Sequence, residues 1–331
     1  MEGSNGPIFI IGRPHSGNTM LTDMLGRHPD IRSYRGEDHF FEKYNSIKKI
    51  ENNEKKFDRI IEEVIGGMDS EASERRGSNI YTEFNSEGIK SKSIHEVYEE
   101  GKRYFAKKEN SKRWAQKATS YIFYVDDIID RLPSSKFIFV VRNPMDIAAS
   151  KKRRGDEEKW FRTLWGWSRG VRKAYNVGDK LDKKILIVKY EDIVKKPNRE
   201  LKKVSSFLDI DYTDSFLDIP HVNRSETPYN KKSDERGLNS DRVFYFVNEL
   251  TTEEAASVRW LVDEELLQKV YPDLSGGKDV GTIETLTKVL SITFTGITHL
   301  FKDQGSLFLT EPQRALSRLR LRLFGNNQNS D

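Results

Sequence analysis

A glycine-bounded loop near the start of the chain has the composition of an anion-binding site. It runs from Gly12 to Gly17, between an apolar segment at residues 7–11 and a segment of helical character at residues 18–27. A loop between a strand and a helix points several backbone N–H groups at one spot, and the helix dipole favours negative charge there. The order of strand, loop and helix therefore predicts a phosphate or sulfate site built from Arg13, His15, Ser16, Gly17, Asn18 and Thr19.

One position of this loop differs from the P-loop that binds nucleoside triphosphates. The P-loop sequence GxxxxGK[ST] has a lysine after its second glycine, where the lysine contacts the β- and γ-phosphates. Gly12, Gly17 and Thr19 keep that spacing, but Asn18 occupies the lysine position. This difference argues against an ATPase or GTPase, although a nucleotide kinase or NTPase on the same scaffold stays as the alternative enzyme class.

A second candidate anion site follows the apolar segment 136–141. Arg142 stands at the carboxyl end of this predicted strand, where open parallel sheets bind their ligands. Its guanidinium can form two parallel hydrogen bonds to a phosphate. Ser150 follows two helical turns later, so that its hydroxyl can reach the same phosphate. Taken alone, Arg142 could equally form an ordinary salt bridge.

Three apolar segments predict the buried strands that position these residues, namely 7–11, 136–141 and 184–189. Near-continuous β-branched runs are typical of parallel sheets that are covered on both faces. Between the first two strands lie helical segments near 55–65, 93–108 and 121–132, and residues 251–271 predict one further helix with Thr251 or Thr252 as its N-cap. The alternation predicts an α/β fold, a parallel β-sheet flanked by helices.

In this order, the two anion-binding segments resemble those of the PAPS-dependent sulfotransferases, PAPS being 3′-phosphoadenosine 5′-phosphosulfate. Residues 12–20 resemble the family's 5′-phosphosulfate loop, G-x-P-[RK]-S-G-T-T-L, and residues 136–150 resemble its 3′-phosphate motif. The resemblance implies the P-loop nucleoside-triphosphate-hydrolase-like sulfotransferase fold, PAPS as the donor, adenosine 3′,5′-bisphosphate (PAP) as the product, and no metal. Arg13 and residues 15–19 would then hold the 5′ side of the cofactor, and Arg142 and Ser150 its 3′-phosphate.

Two further segments resemble motifs of this family, with carbohydrate and tyrosylprotein sulfotransferases the most similar. Residues 36–41 resemble the E-x-[HQ]-F-F segment, whose Glu is the general base, and so implicate Glu37, with Asp38 and His39 as alternatives. Residues 114–119 resemble W-x-[ED]-K-[TS]-P, whose lysine contacts the transferring sulfonate, and so implicate Lys117. Without the resemblance, Glu37 would be the charged edge of a loop and Lys117 a solvated charge.

The family has Arg or Lys where this chain has His15. The charge of His15 depends on pH, because an unperturbed histidine titrates near ~6.5. As a third catalytic residue beside Glu37 and Lys117, it would stabilise the leaving phosphate fully only when protonated. A catalytically weak nucleotide-binding protein on the same fold is therefore a further alternative.

Composition excludes several other classes of site and partner. The 331 residues contain no cysteine, which removes disulfide frameworks, thiol nucleophiles and zinc–cysteine sites. The six histidines have no metal-binding spacing, so no metal is expected. With a net charge of +4 and a mean hydropathy of -0.72, we expect a soluble, cytoplasmic protein that does not bind nucleic acid. The expected acceptor bears a hydroxyl (or amino) group and is a carbohydrate, lipid or small molecule.

The glycine pair at 276–277 divides the chain into a sulfotransferase domain, residues 1–275, and a C-terminal helical tail, residues 276–331. Within the tail, residues 312–324 are rich in leucine and arginine. As a helix they would suit a membrane surface or a partner subunit, with packing onto the domain as the alternative. Residues 151–173 contain nine Lys or Arg and three Asp or Glu. They form either a solvated helix face or a wall that attracts an anionic cofactor or acidic acceptor.

Overall fold

The computed structural model describes residues 6–67, 93–181, 183–219, 237–274 and 283–310, together with residues 312, 315 and 316. Its strands are β1 (Ile8–Gly12), β2 (Ile31–Tyr34), β3 (Arg113–Lys117), β4 (Lys136–Val141) and β5 (Ile185–Lys189). They form one sheet in the order β2-β3-β1-β4-β5, and every neighbouring pair is parallel. The predicted parallel sheet is confirmed.

Helices follow the strands and cover both faces of the sheet. They are α1 (Asn18–Leu25), α2 (Phe40–Lys48), α3 (Asn53–Gly66), α4 (Ile94–Lys108), α5 (Val125–Arg131), α6 (Pro144–Lys152), α7 (Trp160–Lys180), α8 (Tyr190–Lys195), α9 (Pro197–Leu208), α10 (Phe246–Glu249), α11 (Thr252–Leu261), α12 (Glu264–Val270) and α13 (Ile283–Thr310). Two apolar clusters result, one on each face.

The position of β1 in the middle of the sheet explains why its sequence is continuously apolar. Phe9 and Ile11 belong to the cluster on one face, and Ile8 and Ile10 belong to the cluster on the other. Because successive side chains of a strand point to opposite faces, a strand buried on both sides needs an apolar residue at every position.

Parallel pairing brings the carboxyl ends of all five strands to one edge of the sheet. In the register, Gly12 of β1 pairs with Val140 of β4, and Ile10 pairs with Lys117, the last residue of β3. The predicted site residues stand at these ends or in the segments that follow them. This edge is where open α/β sheets bind ligands.

Two features of the fold differ from the expectation. Strands β2 and β3 were not predicted, because neither is continuously apolar: β2 contains Arg32 and Ser33, which are partly buried, and β3 contains Arg113 and Gln116, which are buried. The segment 251–271 forms two helices rather than one, so that prediction is wrong. Asp263 separates them, and its side chain accepts a hydrogen bond of 3.0 Å from the backbone N–H of Leu266, which caps the second helix. Thr251 caps the first, as predicted.

The long helix α13 packs on α7 and α11. Gly296 of α13 lies against Phe161 of α7, and the Nζ atom of Lys288 lies 3.4 Å from the carboxylate of Glu254 in α11. The predicted boundary at residue 275 and most of the basic segment 312–324 lie outside the described residues. Within the described part of the chain, no helix is both long and apolar enough to cross a bilayer.

Candidate active site

Two glycines give the anion loop its shape. Gly12 has a φ of 155°, and a Cβ there would lie 2.5 Å from the carbonyl oxygen of Val140. Gly17 precedes α1 with a φ of 92°, and a Cβ there would lie 2.5 Å from the ring of Tyr190. Both positions therefore need glycine, because a side chain would be strained and would collide with its neighbours.

The polar groups of the loop fit a phosphate. The carbonyl oxygen of Arg13 accepts hydrogen bonds from the backbone N–H of Ser16 at 3.2 Å and from the Asn18 amide at 3.1 Å, which closes the loop on itself. The Ser16 hydroxyl is buried and has no hydrogen-bond partner among the described residues. Since buried hydroxyls normally find partners, this group is suited to donate to a phosphate oxygen at the start of α1, with Thr19 in its first turn.

His15 lies in a cationic environment. Its φ of 70° places it in the left-handed region, in which histidine occurs more often than most residues. Burial, followed by the positive charges of Lys151, Arg154 and Arg142, lowers the pKa of His15 to about 3, against a smaller opposing effect of Asp156. The imidazole is therefore neutral at physiological pH in the protein alone, and the same cations make the surroundings attractive to an anion.

Arg142 joins the anion loop to the segment that contains Arg242. Its Nη1 donates to the carbonyl oxygen of His15 at 3.0 Å, and its Nη2 donates to that of Arg242 at 2.6 Å. The guanidinium also lies 4.3 Å from the ring centroid of Tyr190. Its buried Nε has no partner among the described residues, so one N–H of this cation is available to a ligand.

Ser150 reaches this region through Tyr245. Ser150 lies near the Tyr245 hydroxyl, which donates to the carbonyl oxygen of Asp146 at 3.1 Å, and burial raises the pKa of Tyr245 to about 12. The Tyr245 ring centroid lies 5.7 Å from the Arg142 guanidinium. Asp146 holds this segment in place by accepting from the backbone N–H groups of Phe244 at 2.8 Å and Phe246 at 3.0 Å.

Glu37 and Lys117 come together after β2 and at the end of β3. The Oε2 atom of Glu37 lies 3.6 Å from Nζ of Lys117. Its Oε1 atom accepts hydrogen bonds from both the backbone N–H and the hydroxyl of Thr119. Both side chains are partly exposed, at 28% for Glu37 and 18% for Lys117. The carboxylate is therefore oriented by Thr119 and remains accessible from solvent.

The two alternatives to Glu37 have structural partners. Asp38 is 1% exposed, and its carboxylate accepts hydrogen bonds from the hydroxyls of Tyr98 and Tyr121, with Nζ of Lys102 at 3.4 Å. His39 Nδ1 lies 3.5 Å from the buried carboxylate of Glu42. Of the two carboxylates, that of Glu37 is exposed to solvent and that of Asp38 is buried, while the His39 side chain is 27% exposed.

A cavity of about 270 Å³ opens beside Thr119. Its described lining combines the anion loop, the segment after β3 and one face of α7, and consists of Arg13, Pro14, Glu42, Thr119, Ser120, Phe123, Tyr124, Arg162, Trp165, Gly166 and Arg169. Sequence reasoning did not assign the α7 residues individually. The helical spacing of residues 162, 165, 166 and 169 within the basic run was the signal that could have found them.

Glycines of α7 make room for the Arg13 side chain. A Cβ on Gly166 would lie 2.4 Å from Nη2 of Arg13, and a Cβ on Gly170 would lie 3.2 Å from its Cδ. These residues are four apart and therefore share a face of the helix. The Arg13 guanidinium thus lies in the cavity wall, between the anion loop and α7.

Comparison with known proteins gives one family. A model described as "Sulfotransferase family" matches residues 7–214, which is more than half of the chain. No curated protein sequence matches.

Solved structures resemble the chain at low sequence identity. A sulfotransferase domain from the curacin biosynthetic pathway is 19% identical, with 75% of this chain and 92% of that one covered and a TM-score of 0.50. The sulfotransferase domain of the Synechococcus PCC 7002 olefin synthase is 20% identical, with 74% and 89% covered and a TM-score of 0.49. Mouse sulfotransferase SULT7A1 complexed with PAP is 18% identical, with 82% and 87% covered and a TM-score of 0.43. The predicted P-loop-like sulfotransferase fold is confirmed.

Proposed function

The chain belongs to the sulfotransferase family, and from this premise we propose that it transfers a sulfonate group from PAPS to the hydroxyl, or amino, group of an acceptor. The observation that carries the proposal is the placement of Glu37 beside Lys117 at the carboxyl edge of the sheet, at the level of the anion loop. A base, a cation and a phosphate site at one edge are the parts that an in-line group transfer requires.

We assign the cofactor contacts to the residues whose geometry fits phosphates. Gly12 and Gly17 shape the loop, Ser16 supplies a buried hydroxyl, and the backbone N–H groups at the start of α1 face the same site. At the other end, Arg142 and Ser150 both lie near Tyr245 and would hold the 3′-phosphate. When bound, PAPS supplies the sulfonate group.

The two oxygens of Glu37 have different roles in this proposal. Oε1 already accepts two hydrogen bonds from Thr119, so Oε2 is the atom that takes the proton of the acceptor hydroxyl. Lys117 lies on the side of Oε2, where its ammonium group can stabilise negative charge on the transferring group. The cavity beside Thr119 would hold the acceptor with its hydroxyl toward Glu37.

Ligand-induced thermal stabilisation tests the cofactor assignment. PAP should raise the melting temperature more than ADP or ATP does, without Mg²⁺, because Arg142 and Ser150 recognise a 3′-phosphate that ADP and ATP lack. Ser150→Ala should reduce that preference, and Arg142→Ala should abolish it. Equal stabilisation by PAP and ADP would contradict the assignment, and a requirement for ATP with Mg²⁺ would favour a nucleotide kinase or NTPase.

Transfer itself is tested with PAPS carrying ³⁵S, by following label in a panel of alcohols, phenols and amines. The neutral His15 of the protein alone is the observation that favours the alternative, a nucleotide-binding protein with weak catalysis. Tight binding of PAP without transfer to any acceptor would support that alternative.

A further inference from the structure

A buried amide lies between the two segments that carry the proposed base and its neighbouring cation. Gln116 directly precedes Lys117 in β3 and is fully buried. Its Nε2 atom donates hydrogen bonds to the carbonyl oxygens of Gly36 at 2.8 Å and of Lys117 at 2.9 Å. Because Gly36 directly precedes Glu37, this one side chain ties together the backbones of both segments.

The two segments meet where the pairing of their strands ends. The register of β2 with β3 runs as far as Tyr34 and Gln116, so Glu37 and Lys117 lie just beyond it. There the backbone N–H of Asp38 donates to the carbonyl oxygen of Lys117 at 3.3 Å, which is long for such a bond. The amide of Gln116 therefore supplies the shorter hydrogen bonds at this point.

The neighbours of the amide determine which way it points. Nζ of Lys102 lies 2.6 Å from its Oε1 atom, and an ammonium group can only donate. The carbonyl oxygen of Gly67 lies 3.2 Å from its Nε2 atom, and a carbonyl can only accept. Both ends assign the same orientation to the amide of Gln116, with its N–H groups toward the backbone of Gly36 and Lys117.

Lys102 is itself held in place. Its Nζ atom donates to the carbonyl oxygen of Val64 at 3.0 Å and lies 3.4 Å from the carboxylate of Asp38. The packing here is close, because a Cβ on Gly67 would lie 2.5 Å from that Nζ atom and 2.7 Å from Oε1 of Gln116. The cation that orients the amide therefore has a fixed position of its own.

We propose that Gln116 is a positioning residue, whose amide sets the separation of the Glu37 carboxylate from the Lys117 ammonium group. Lys102 orients that amide. This inference rests on the proposed function, in which Glu37 takes the proton of the acceptor and Lys117 stabilises the transferring group. Gln116 is buried and acts through the backbone of these two residues. Its effect on the rate follows from geometry, since a shift of about 1 Å at a site can cost about 10²-fold.

Gln116→Met tests the proposal, because methionine has a similar length but no N–H groups. Arg113→Met is the matched control at the other end of the same strand, where Arg113 donates to the carbonyl oxygens of Gly6 at 3.1 Å and Leu208 at 2.6 Å. Each variant deprives two backbone carbonyls of a donor, so both should lose stability in urea denaturation. Only Gln116→Met should lower kcat, by about 10–100-fold, and PAP affinity should stay that of the wild type in both.

If Gln116→Met does not fold, Gln116→Asn replaces it, because asparagine keeps the amide on a shorter side chain. Arg113→Lys, which keeps a donor on a different group, is then the control. The same difference in kcat is expected between these two milder variants. Equal losses of kcat at positions 113 and 116 would overturn the proposal, since Gln116 would then only stabilise the fold.

A double-mutant cycle separates positioning from a general loss of structure. In the Glu37→Gln background, Gln116→Met should lower kcat by a smaller factor than in the wild type, because the carboxylate that it positions has been removed. An equal factor in the two backgrounds would overturn the proposal, because the effect of Gln116 would then not pass through Glu37.

Hydrogen exchange measures the positioning without any turnover. The backbone N–H groups of Asp38 and Thr119 donate to the Lys117 carbonyl and to the Glu37 carboxylate, respectively. Both should exchange faster in Gln116→Met than in Arg113→Met under conditions of equal global stability. Equal exchange at both amides would overturn the proposal. A failure of the proposed function would appear differently, as absence of ³⁵S transfer by the wild type with the exchange difference intact.

Discussion

Single residues decide the proton transfer, and Glu37 is the first to test. Glu37→Gln keeps an oxygen that can accept from Thr119 but removes the group that takes the proton. We expect kcat to fall by about 10²–10⁴-fold, the usual contribution of a general base, while PAP affinity remains that of the wild type. Steady-state kinetics and PAP titration check this result, and a variant within about threefold of wild type would move the role of base elsewhere.

Asp38→Asn serves as the contrasting variant, because Asp38 is bound by two tyrosines and faces Lys102 in the interior. Removing one member of a buried charged pair typically costs about 3–5 kcal/mol. We therefore expect this variant to lower the unfolding free energy, measured by chemical denaturation. A loss of turnover without a loss of stability would instead make Asp38 part of the chemistry.

His15 should take up a proton when PAP binds. In the protein alone its pKa is lowered to about 3, and a phosphate placed beside it would raise that pKa, because opposite charge favours the imidazolium. Between these two pKa values the free protein has a neutral His15 and the complex a protonated one, so PAP affinity rises as pH falls through this range. Calorimetry at several pH values from 4 to 6, in buffers of different ionisation enthalpy, measures the uptake.

His15→Gln is the control for this prediction, because it retains a polar side chain that does not titrate. The phosphates of PAP bind or release the same protons with either protein. The difference in proton uptake between wild type and variant is therefore due to His15. An identical proton uptake in wild type and His15→Gln would mean that His15 only shapes the loop.

At the scale of elements, the sequence predicts best where local pattern and burial agree. The anion loop could be predicted because its glycines and its neighbouring strand are contiguous. Strand β3 could not, because its polar residues are satisfied by distant parts of the chain. Arg113 donates to the carbonyl oxygens of Gly6 at 3.1 Å and Leu208 at 2.6 Å, and Gln116 accepts from Lys102 at 2.6 Å. Such partners cannot be identified from local sequence alone.

The same limit applies to the candidate site. Glu37 could be named by resemblance, but its contact with Thr119 spans 82 positions of the chain and depends on the order of the strands. The cavity wall on α7 could likewise be identified only from the fold, because a basic run is compatible with a solvated helix face until the packing of the helix is known.

Helix α7 and the anion loop should be coupled through Gly166. In Gly166→Ala the new methyl would lie 2.4 Å from Nη2 of Arg13, which must move away. Because a flexible side-chain end yields, and alanine favours a helix by about 0.5–1 kcal/mol, we expect unchanged or higher stability. The displaced cation should lower kcat/KM by about 10–100-fold, since a shift of about 1 Å at a site can cost that much.

Gly178→Ala is the matched control on the same helix, because its methyl would make only an ordinary contact of 3.8 Å with Ile185. It should gain the same stability and keep full activity. Thermal melts and steady-state kinetics on the two variants check the prediction. Equal activities would show that the position of Arg13 does not matter to the reaction.

At the scale of the whole molecule, a buried polar network lies behind the proposed base and Lys117. Lys102 is 0% exposed and donates to the carbonyl oxygen of Val64 at 3.0 Å as well as to Gln116, while Tyr34 donates to its backbone carbonyl at 2.8 Å. Burial lowers the pKa of Lys102, against the attraction of Asp38. The network joins α3, α4 and β3 behind Glu37 and Lys117, so the proposed base rests on interior packing rather than on a loop alone.

The packing of α13 bears on the domain organisation, because the sequence predicts a C-terminal helical tail after residue 275. The contacts of α13 with α7 and α11 indicate packing onto the domain. Gly296 is a point of close approach, since a Cβ there would lie 2.3 Å from Cβ of Phe161. The Cβ atom of Phe161 is attached directly to the backbone of α7 and cannot move without the helix. It differs in this from the end of the Arg13 side chain, which can move away from Gly166.

Gly296→Ala should therefore destabilise the protein, whereas Gly305→Ala in the same helix should not. The first substitution forces α13 away from α7, and overpacking of this kind costs about 1–3 kcal/mol. The second places its methyl where no atom of the described residues lies within 4 Å, so only the gain in helix propensity remains. Urea denaturation of both variants measures the difference in unfolding free energy. A lower value for Gly296→Ala alone makes α13 part of the folded domain, and because α7 carries the arginines of the cavity, the same variant should also weaken acceptor binding. Equal values for the two variants would mean that the contact of Gly296 with α7 does not contribute to the stability of the domain.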